Sequence, residues 1–150
     1  MSEWLVKSSL SLPASLTSIS QLAEWLAQLM APLPVNDEWR FALDLAVCET
    51  ATNIIRYALH EDENSRFDVD FITTASSVTL HFTDAGDPFP AGRLADARNE
   101  SFQESDLFAE SGRGLKLILL SVDTFHVERV QVGNFTTLQK FYAPELVVRK

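Results

Sequence analysis

One face of a predicted helix carries four polar side chains whose chemistry could be used together. At steps of four, three and four residues, which align side chains along an α-helix, this face presents Glu49, Asn53, Arg56 and His60. Small and apolar neighbours leave Glu49 only partly solvated, which suits a general base. The side-chain oxygen of Asn53 is a hard ligand of the kind that Mg²⁺ prefers. A solvated polar stripe has the same spacing, so the helix alone leaves both interpretations open.

A second group of residues follows a predicted strand, in the segment "TDAGDPF" at 83–89. Asp84, at the end of the strand, can accept a hydrogen bond from the amino group of a planar base. Gly86 has no side chain and would let the backbone approach that base closely. A plain turn uses the same residue types, so this segment is also open to two interpretations.

A third group lies in the segment "SGRGLKL" at 111–117. Gly112 and Gly114 lead into a short apolar helix predicted over 113–121, and backbone N–H groups at a helix N-terminus bind phosphate. The segment is neither a P-loop nor a dinucleotide-binding fingerprint, because the required lysine or third glycine is absent and no strand directly precedes it. A flexible connection into a helix explains the glycines equally well.

The composition of the chain limits the class of protein. Its 150 residues predict one domain over 1–150, and a hydrophobic fraction of 46% predicts a globular chain. The net charge of −9 argues against nucleic acid and anionic membrane as partners. The single cysteine, Cys48, lies in an apolar run, so a packing thiol in a reducing compartment is expected. No secretory signal or membrane-spanning run is found, so the expected location is the cytoplasm.

The periodicity of apolar residues predicts an α+β order of elements. Helices are predicted over 14–30, from Asp37 to about His60, and over 113–121. Strands are predicted over 4–12, 66–73, 77–83, 124–132 and 135–142, with the last two broken at Gly133 and Asn134. A loop-like stretch remains at 84–112. Because a loop of this length in a compact domain is usually functional, it is predicted to have a role.

The three groups, in this order, resemble the motifs of one family. "ETATNIIRYA" looks like the N box of the GHKL (Bergerat-fold) ATPases, "DAGDPF" like their G1 box, and "SGRGLKLILLSVD" like their G2 box. Thr136 matches a threonine that the family keeps near the end of its sheet. Within the family the chain is similar to the small anti-sigma-factor serine kinases, and the resemblance spans nearly its whole length.

The resemblance implies a role for each motif in using ATP. Asp84 would bind the adenine amino group, with Gly86 and Thr136 helping to line the pocket. Asn53 would hold Mg²⁺ between the phosphates. Glu49 would take the proton from the attacking hydroxyl.

Phosphate binding is implied for the G2 box, where Gly112, Arg113 and Gly114 would wrap the triphosphate. Arg56 in the N box is a further candidate nucleotide-binding residue. The chain departs from many relatives there, because they have a histidine after a basic residue where this chain has Arg56 followed by Tyr57. Glu110 precedes the G2 box, and its carboxylate is expected to point away from the phosphates.

The resemblance also implies a fold and an activity. The expected fold is α+β, a two-layer α/β sandwich with a mixed, mostly antiparallel sheet covered by helices on one face. ATP would lie between the helices and a lid over residues 90–112. The implied activity is that of an ATP-dependent serine/threonine protein kinase that phosphorylates a STAS-type antagonist and sequesters a partner such as a sigma factor. A second copy of the chain, in a homodimer, is a further expected partner.

Two alternatives to the kinase remain open from the sequence. One is a nucleotide-binding partner switch without kinase activity, in which ATP only orders the lid for protein binding. The other is an interaction domain that has lost nucleotide binding. Label transfer from ATP separates the first from a kinase, and a failure of Mg-ATP to raise the melting temperature identifies the second.

Overall fold

The structure, a computed structural model, describes residues 6–88 and 110–142, with side chains over 7–88 and 114–142. The predicted lid at 90–112 therefore lies almost entirely outside the described residues, and it stays a prediction.

A five-stranded sheet forms one layer of the molecule. Its strands are β1 (Val6–Pro13), β2 (Arg66–Thr73), β3 (Ser77–Asp84), β4 (Thr124–Val130) and β5 (Gly133–Phe141), in the spatial order β1-β2-β3-β5-β4. The strand pairings in the described part of the chain are all antiparallel. The predicted, mostly antiparallel sheet is confirmed, and no parallel pair is present among these residues.

Side chains that alternate along the strands give the sheet one covered face. In β2, Phe67, Val69 and Phe71 are buried whereas Asp68 is exposed, as the period of two in a strand requires. This alternation is the one that the sequence predicts. Neighbouring strands continue the buried layer with Leu80, Phe82 and Leu138.

Helices form the second layer and cover that face. They are α1 (Ser18–Met30), α2 (Asp37–Asn53) and α3 (Glu110–Ser121), and α2 packs against both of the others. The side chain of Asn36 caps α2 by accepting a hydrogen bond from the Trp39 N–H at 2.9 Å. None of the helices in the described ranges is long and apolar enough to cross a membrane. The predicted α+β sandwich is confirmed.

The ends of the helices differ from the sequence prediction. α1 begins at Ser18 rather than at residue 14, and α3 begins at Glu110 rather than at residue 113. The second helix does not stay α-helical to about His60, because it ends at Asn53 and continues as a π-helical turn over Ile54–Ala58. Beyond that turn His60 has φ of 56°, a left-handed conformation that cannot continue a right-handed helix.

The hairpin between β4 and β5 also differs from its prediction. Gly133 and Asn134, predicted as the break, are paired residues of β5, opposite Val130 and Arg129. The chain therefore reverses before Gly133, at 131–132. Gly133 has φ of 117°, and a Cβ there would lie 1.9 Å from the carbonyl oxygen of Asp84. Glycine is needed because β5 passes the end of β3 this closely, which local sequence does not reveal.

Candidate functional site

A cavity of about 260 Å³ opens between α2, its π-helical turn and the ends of β3, β4 and β5. Its polar wall is formed by Thr50, Asn53, Asp84, Asn134 and Thr136. Its apolar wall includes Ile54, Ala58, Leu115, Phe125 and Val127. An apolar cleft with a few convergent polar groups is typical of a small-molecule site, and these walls suit a flat, partly polar ring system.

Asp84 is the central polar group of this cavity and is only 4% exposed. Its Oδ1 accepts hydrogen bonds from the Gly86 N–H at 2.8 Å and from Asn134 Nδ2 at 3.0 Å. Its Oδ2 is buried and has no hydrogen-bond partner within the described part of the chain. Because a buried acceptor without a donor is costly, this oxygen is available to a donor from outside the described residues, such as a bound ligand.

Burial also sets the ionisation of Asp84. Desolvation raises the pKa of its carboxyl, while the hydrogen bonds from Asn134 and Gly86 and the charge of Arg129 act to lower it. The ionised form is therefore disfavoured by burial and held by three surrounding groups. In that form the carboxylate can only accept hydrogen bonds.

The turn after β3 is fixed by a close approach to the π-helical turn. A Cβ on Gly86 would lie 2.3 Å from the carbonyl oxygen of Ala58, and the Asp87 N–H donates to the same oxygen at 3.0 Å. Gly86 therefore provides close packing against the helix end. The predicted approach of Gly86 to a base stays a prediction.

The N-box residues separate in space. The carboxylate of Glu49 reaches the fifth residue of α3, where a Cβ on Gly114 would lie 2.6 Å from Oε1 of Glu49. Asn53 lines the cavity, as does the half-exposed Tyr57. Arg56 is exposed and is not part of the cavity wall that the described residues form.

His60 does not continue the polar face of the helix. It lies past the π-helical turn, where its Nε2 pairs with the carboxylate of Asp87 at 2.7 Å, and both side chains are about two-thirds exposed. The pair links the end of this helix to the turn after β3.

The G2-box residues lie within a helix. Gly112 and Arg113 belong to the first turn of α3, and Gly114 follows them. The leading N–H groups of a helix have no intrahelical partner and carry the positive end of its dipole. The contact with Glu49 is made one turn further on, at Gly114, the fifth residue of α3, so the carboxylate lies about one helical turn from these leading N–H groups.

Three further residues of the site were missed in the sequence. The sequence predicts Asn134 at the break between two strands, yet its side chain is buried and bonds to Asp84. Arg129 donates to the carbonyl oxygen of Gly86 at 2.8 Å. Thr50 lines the cavity with a buried hydroxyl that has no partner among the described residues. A signal was present for Thr50 alone, which lies three residues before Asn53 on the same side of a helix.

Cys48 is a half-buried thiol outside the cavity wall formed by the described residues. Its Sγ donates to Oδ1 of Asp44 at 3.8 Å. Burial, followed by the nearby charge of Asp44, raises its pKa from 9.0 to about 12. A thiol with this pKa is not a ready nucleophile, in agreement with the expected packing role.

The family of the chain follows from comparison with known proteins. A model of the histidine kinase-like ATPase domain matches residues 12–140, which is most of the chain. The protein therefore belongs to this family of ATP-binding domains, and the resemblance to GHKL ATPases is confirmed. No curated protein sequence matches the chain.

Among solved structures, the chain is similar to the crystal structure of the RsbU and RsbW domains of Rv1364c from Mycobacterium tuberculosis. The TM-score is 0.64 and the sequence identity is 14%. The similarity covers 93% of this chain and 33% of that one, so this chain spans about a third of that protein's length. At this identity the likeness shows the fold alone.

Proposed function

We propose that the protein is an ATP-dependent serine/threonine protein kinase of the anti-sigma-factor type. The observation that carries this proposal is the position of the Glu49 carboxylate against Gly114, one turn after the start of α3. A helix start offers donors to a triphosphate, and an adjacent carboxylate is where a base for the attacking hydroxyl is needed. Donors to the phosphates are needed by any ATP-binding domain, whereas a carboxylate base is not required by one that only changes shape.

Adenine binding is supported by the donors and acceptors of the cavity. Asp84 Oδ2, buried and without a partner in the described residues, accepts a hydrogen bond from the exocyclic amino group. Thr136 is only 3% exposed, faces the cavity from β5, and offers a hydroxyl to the ring. The apolar wall, which includes Leu115 and Phe125, removes the faces of the base from water.

Phosphate and metal binding are proposed for the other end of the site. The N–H groups around Gly112, Arg113 and Gly114 bind the phosphates, and Arg56 is a further candidate contact. No group of three or more His, Cys, Asp and Glu side chains that could hold a metal occurs in 6–88 and 110–142. Asn53 would hold Mg²⁺ there, because its side-chain oxygen is a hard ligand of the kind that this ion prefers. When bound, Mg²⁺ neutralises charge on the phosphates.

The transfer step uses Glu49 as its base. The hydroxyl oxygen of a serine or threonine forms a bond to the γ-phosphorus, the bond from that phosphorus to the bridging oxygen breaks, and ADP leaves. Glu49 accepts the hydroxyl proton. Asn53 and the start of α3 orient the phosphates for this step, which is how positioning contributes to phosphoryl transfer.

The protein partners proposed are those that the anti-sigma-factor kinases imply. The substrate is a STAS-type antagonist, the sequestered partner is a sigma factor or another regulator, and a homodimer is proposed for the kinase itself. A net charge of −9 supports a role that does not use nucleic acid. The cytoplasm is the proposed location.

Label transfer from ATP to a STAS-type protein tests the activity. We expect label from [γ-³²P]ATP on a serine or threonine of the STAS protein, dependent on Mg²⁺ and absent with a Ser/Thr-free variant of that substrate. Binding of Mg-ATP without transfer would support a partner switch and contradict the kinase. A failure of saturating Mg-ATP to raise the melting temperature would contradict nucleotide binding as well.

A further inference from the structure

We propose that Asn134 and Arg129 are positioning residues that keep the Asp84 carboxylate a fixed hydrogen-bond acceptor, and that they thereby set the preference of the cavity for a base with an exocyclic amino group. The inference rests on the proposed binding of ATP. It concerns two residues outside the three motifs, and it is argued from the contacts of the described residues.

The three side chains lie in one row across the sheet. Asp84 in β3 is opposite Asn134 in β5, and Asn134 is opposite Arg129 in β4. Residues directly opposite one another on antiparallel strands are close enough for their side chains to interact. The row is therefore built by strand register, at the same end of the sheet as the cavity.

The amide of Asn134 is fully engaged on its donor side. Its Nδ2 donates to Oδ1 of Asp84 at 3.0 Å and to the carbonyl oxygen of Asp87 at 2.8 Å. An amide nitrogen has two hydrogens, so both are used. Asn134 is only 4% exposed, and these two acceptors hold its side chain in one orientation.

Arg129 supports the same arrangement from β4. Its Nη1 donates to the carbonyl oxygen of Gly86 at 2.8 Å and lies 3.5 Å from Oδ1 of Asn134. One guanidinium therefore contacts both donors to Asp84 Oδ1, namely the amide side chain and the residue that supplies the backbone N–H. A cation at this position also favours the ionised form of the carboxyl.

The charged groups around Asp84 can be assigned to individual elements. From β4, Arg129 acts on its carboxyl. From the turn after β3, Asp87 is engaged by His60 of the segment after the π-helical turn. Asn134 from β5 is neutral, and Arg56 of the π-helical turn is exposed. Removal of the Arg129 charge is thus expected to change the pKa of Asp84.

The consequence for the ligand is chemical. An ionised carboxylate accepts a hydrogen bond from an amino group, whereas a protonated carboxyl can donate to an oxo group. Burial raises the pKa of Asp84, and Asn134 and Arg129 oppose this rise. Without either residue the pKa of Asp84 rises further, so its protonated form persists to a higher pH. The cavity should then tolerate bases with an oxo group up to that higher pH.

The first test needs no nucleotide. The chemical shift of the Asp84 carboxyl carbon is followed by NMR as a function of pH in the full chain. The proteins compared are wild type, Asn134→Ala, Arg129→Gln and Arg129→Lys. We expect the midpoint to rise in Asn134→Ala and Arg129→Gln, and Arg129→Lys to restore it in part. Arg129 is an exposed residue, so Arg129→Gln keeps the test decisive if Asn134→Ala does not fold. Asn64→Ala, an exposed asparagine in a turn, is the matched control. Unchanged midpoints in both variants would overturn the proposal.

The second test measures affinity for ATP and for inosine triphosphate, which carries an oxo group in place of the amino group. We expect wild type to prefer ATP by about tenfold or more at neutral pH, the effect of one mismatched buried hydrogen bond. As the pH is lowered, Asn134→Ala and Arg129→Gln should lose the preference for ATP over inosine triphosphate at a higher pH than wild type does. The same pH profile in all variants would overturn the proposal. A wild type that binds neither nucleotide would contradict the proposed function instead, and the NMR titration would still decide the role of Asn134 and Arg129.

Discussion

Glu49 of α2 and Gly114 of α3 lie so close that a side chain on the glycine would meet the carboxylate, with a Cβ 2.6 Å from Oε1 of Glu49. The two residues come from different motifs, separated in sequence by the whole of β2 and β3. Their contact brings the proposed base to within about one helical turn of the proposed phosphate-binding end of α3. Substitutions at these two positions therefore address the chemistry most directly.

Glu49→Gln is expected to slow phosphoryl transfer by ~10²–10⁴-fold, the usual contribution of a general base, with ATP affinity little changed. Glutamine keeps the size of the side chain but cannot accept the proton. Single-turnover transfer to a STAS protein, together with calorimetry of ATP binding, measures both effects. Glu24→Gln, at an exposed position of α1, is the control. Transfer at the wild-type rate would remove Glu49 from this role.

Gly114→Ala is expected to separate stability from activity. Alanine is favoured over glycine inside a helix by about 1 kcal/mol, and Glu49 can swing away from the new methyl group, so unfolding should show no loss of stability. The displaced carboxylate should slow transfer by roughly 10²-fold, the cost of a misplacement of about 1 Å. In a Glu49→Gln background the same substitution should add little, because both changes act on one group. Additive losses would show that Gly114 acts independently of Glu49.

Asn53→Ala is expected to weaken Mg-ATP and to leave metal-free ATP nearly unaffected. The reason is that the amide oxygen of Asn53 is proposed to contact the metal rather than the base. Calorimetry with Mg²⁺ and with a chelator makes the comparison, and Gln28→Ala, at an exposed position of α1, is the control. Equal losses under the two conditions would place Asn53 outside the metal site.

Asp84→Asn is expected to weaken ATP and ADP alike, by on the order of 1–3 kcal/mol, because a buried donor would face the adenine amino group. In the absence of ligand, the same substitution is expected to stabilise the folded protein at neutral pH, although it weakens nucleotide binding. Burial raises the pKa of Asp84 in the folded protein, so its favourable contribution is present below the pKa of the unfolded chain and is lost as pH rises through the folded pKa. At neutral pH the buried charge lowers stability, and the variant should melt at a higher temperature than wild type.

The pH dependence of melting checks this sign. The gain of Asp84→Asn over wild type should shrink as pH falls towards about 4, near the pKa of aspartate in an unfolded chain. A gain that grows on acidification would show that Asp84 has a lowered pKa. Asp62→Asn, at an exposed position, provides the comparison for a solvated carboxylate.

Cys48 is expected to resist thiol reagents in the folded protein. With its pKa raised from 9.0 to about 12, the thiolate fraction at pH ~8 is on the order of 10³-fold lower than for a solvated thiol. Reaction with a disulfide reagent, followed in native buffer and in denaturant, measures the difference. Equal rates under the two conditions would show that the thiol is neither buried nor depleted of thiolate.

Local patterns in the sequence were enough to predict most of the elements. The alternation of Phe67, Val69 and Phe71 with aspartates predicts β2, because a strand turns successive side chains to opposite faces. The spacing of Leu22 and Leu26 predicts a helix for the corresponding reason. The motif residues Glu49, Asn53 and Asp84 were also recognisable, since their types and order are specific when taken together.

Tertiary structure decided which side chains meet. Thr50, Asn53 and Tyr57 share the helix face that borders the cavity, whereas Arg56 lies beside that face and is exposed. The partners of Asp84 are set by strand register, which places Asn134 beside it across a separation of 50 residues. A periodic pattern records only how each segment turns towards the core. Contacts between segments depend on how the strands pair and how closely glycines such as Gly133 let them approach, so the acceptor left free in the cavity could be found only in the folded chain.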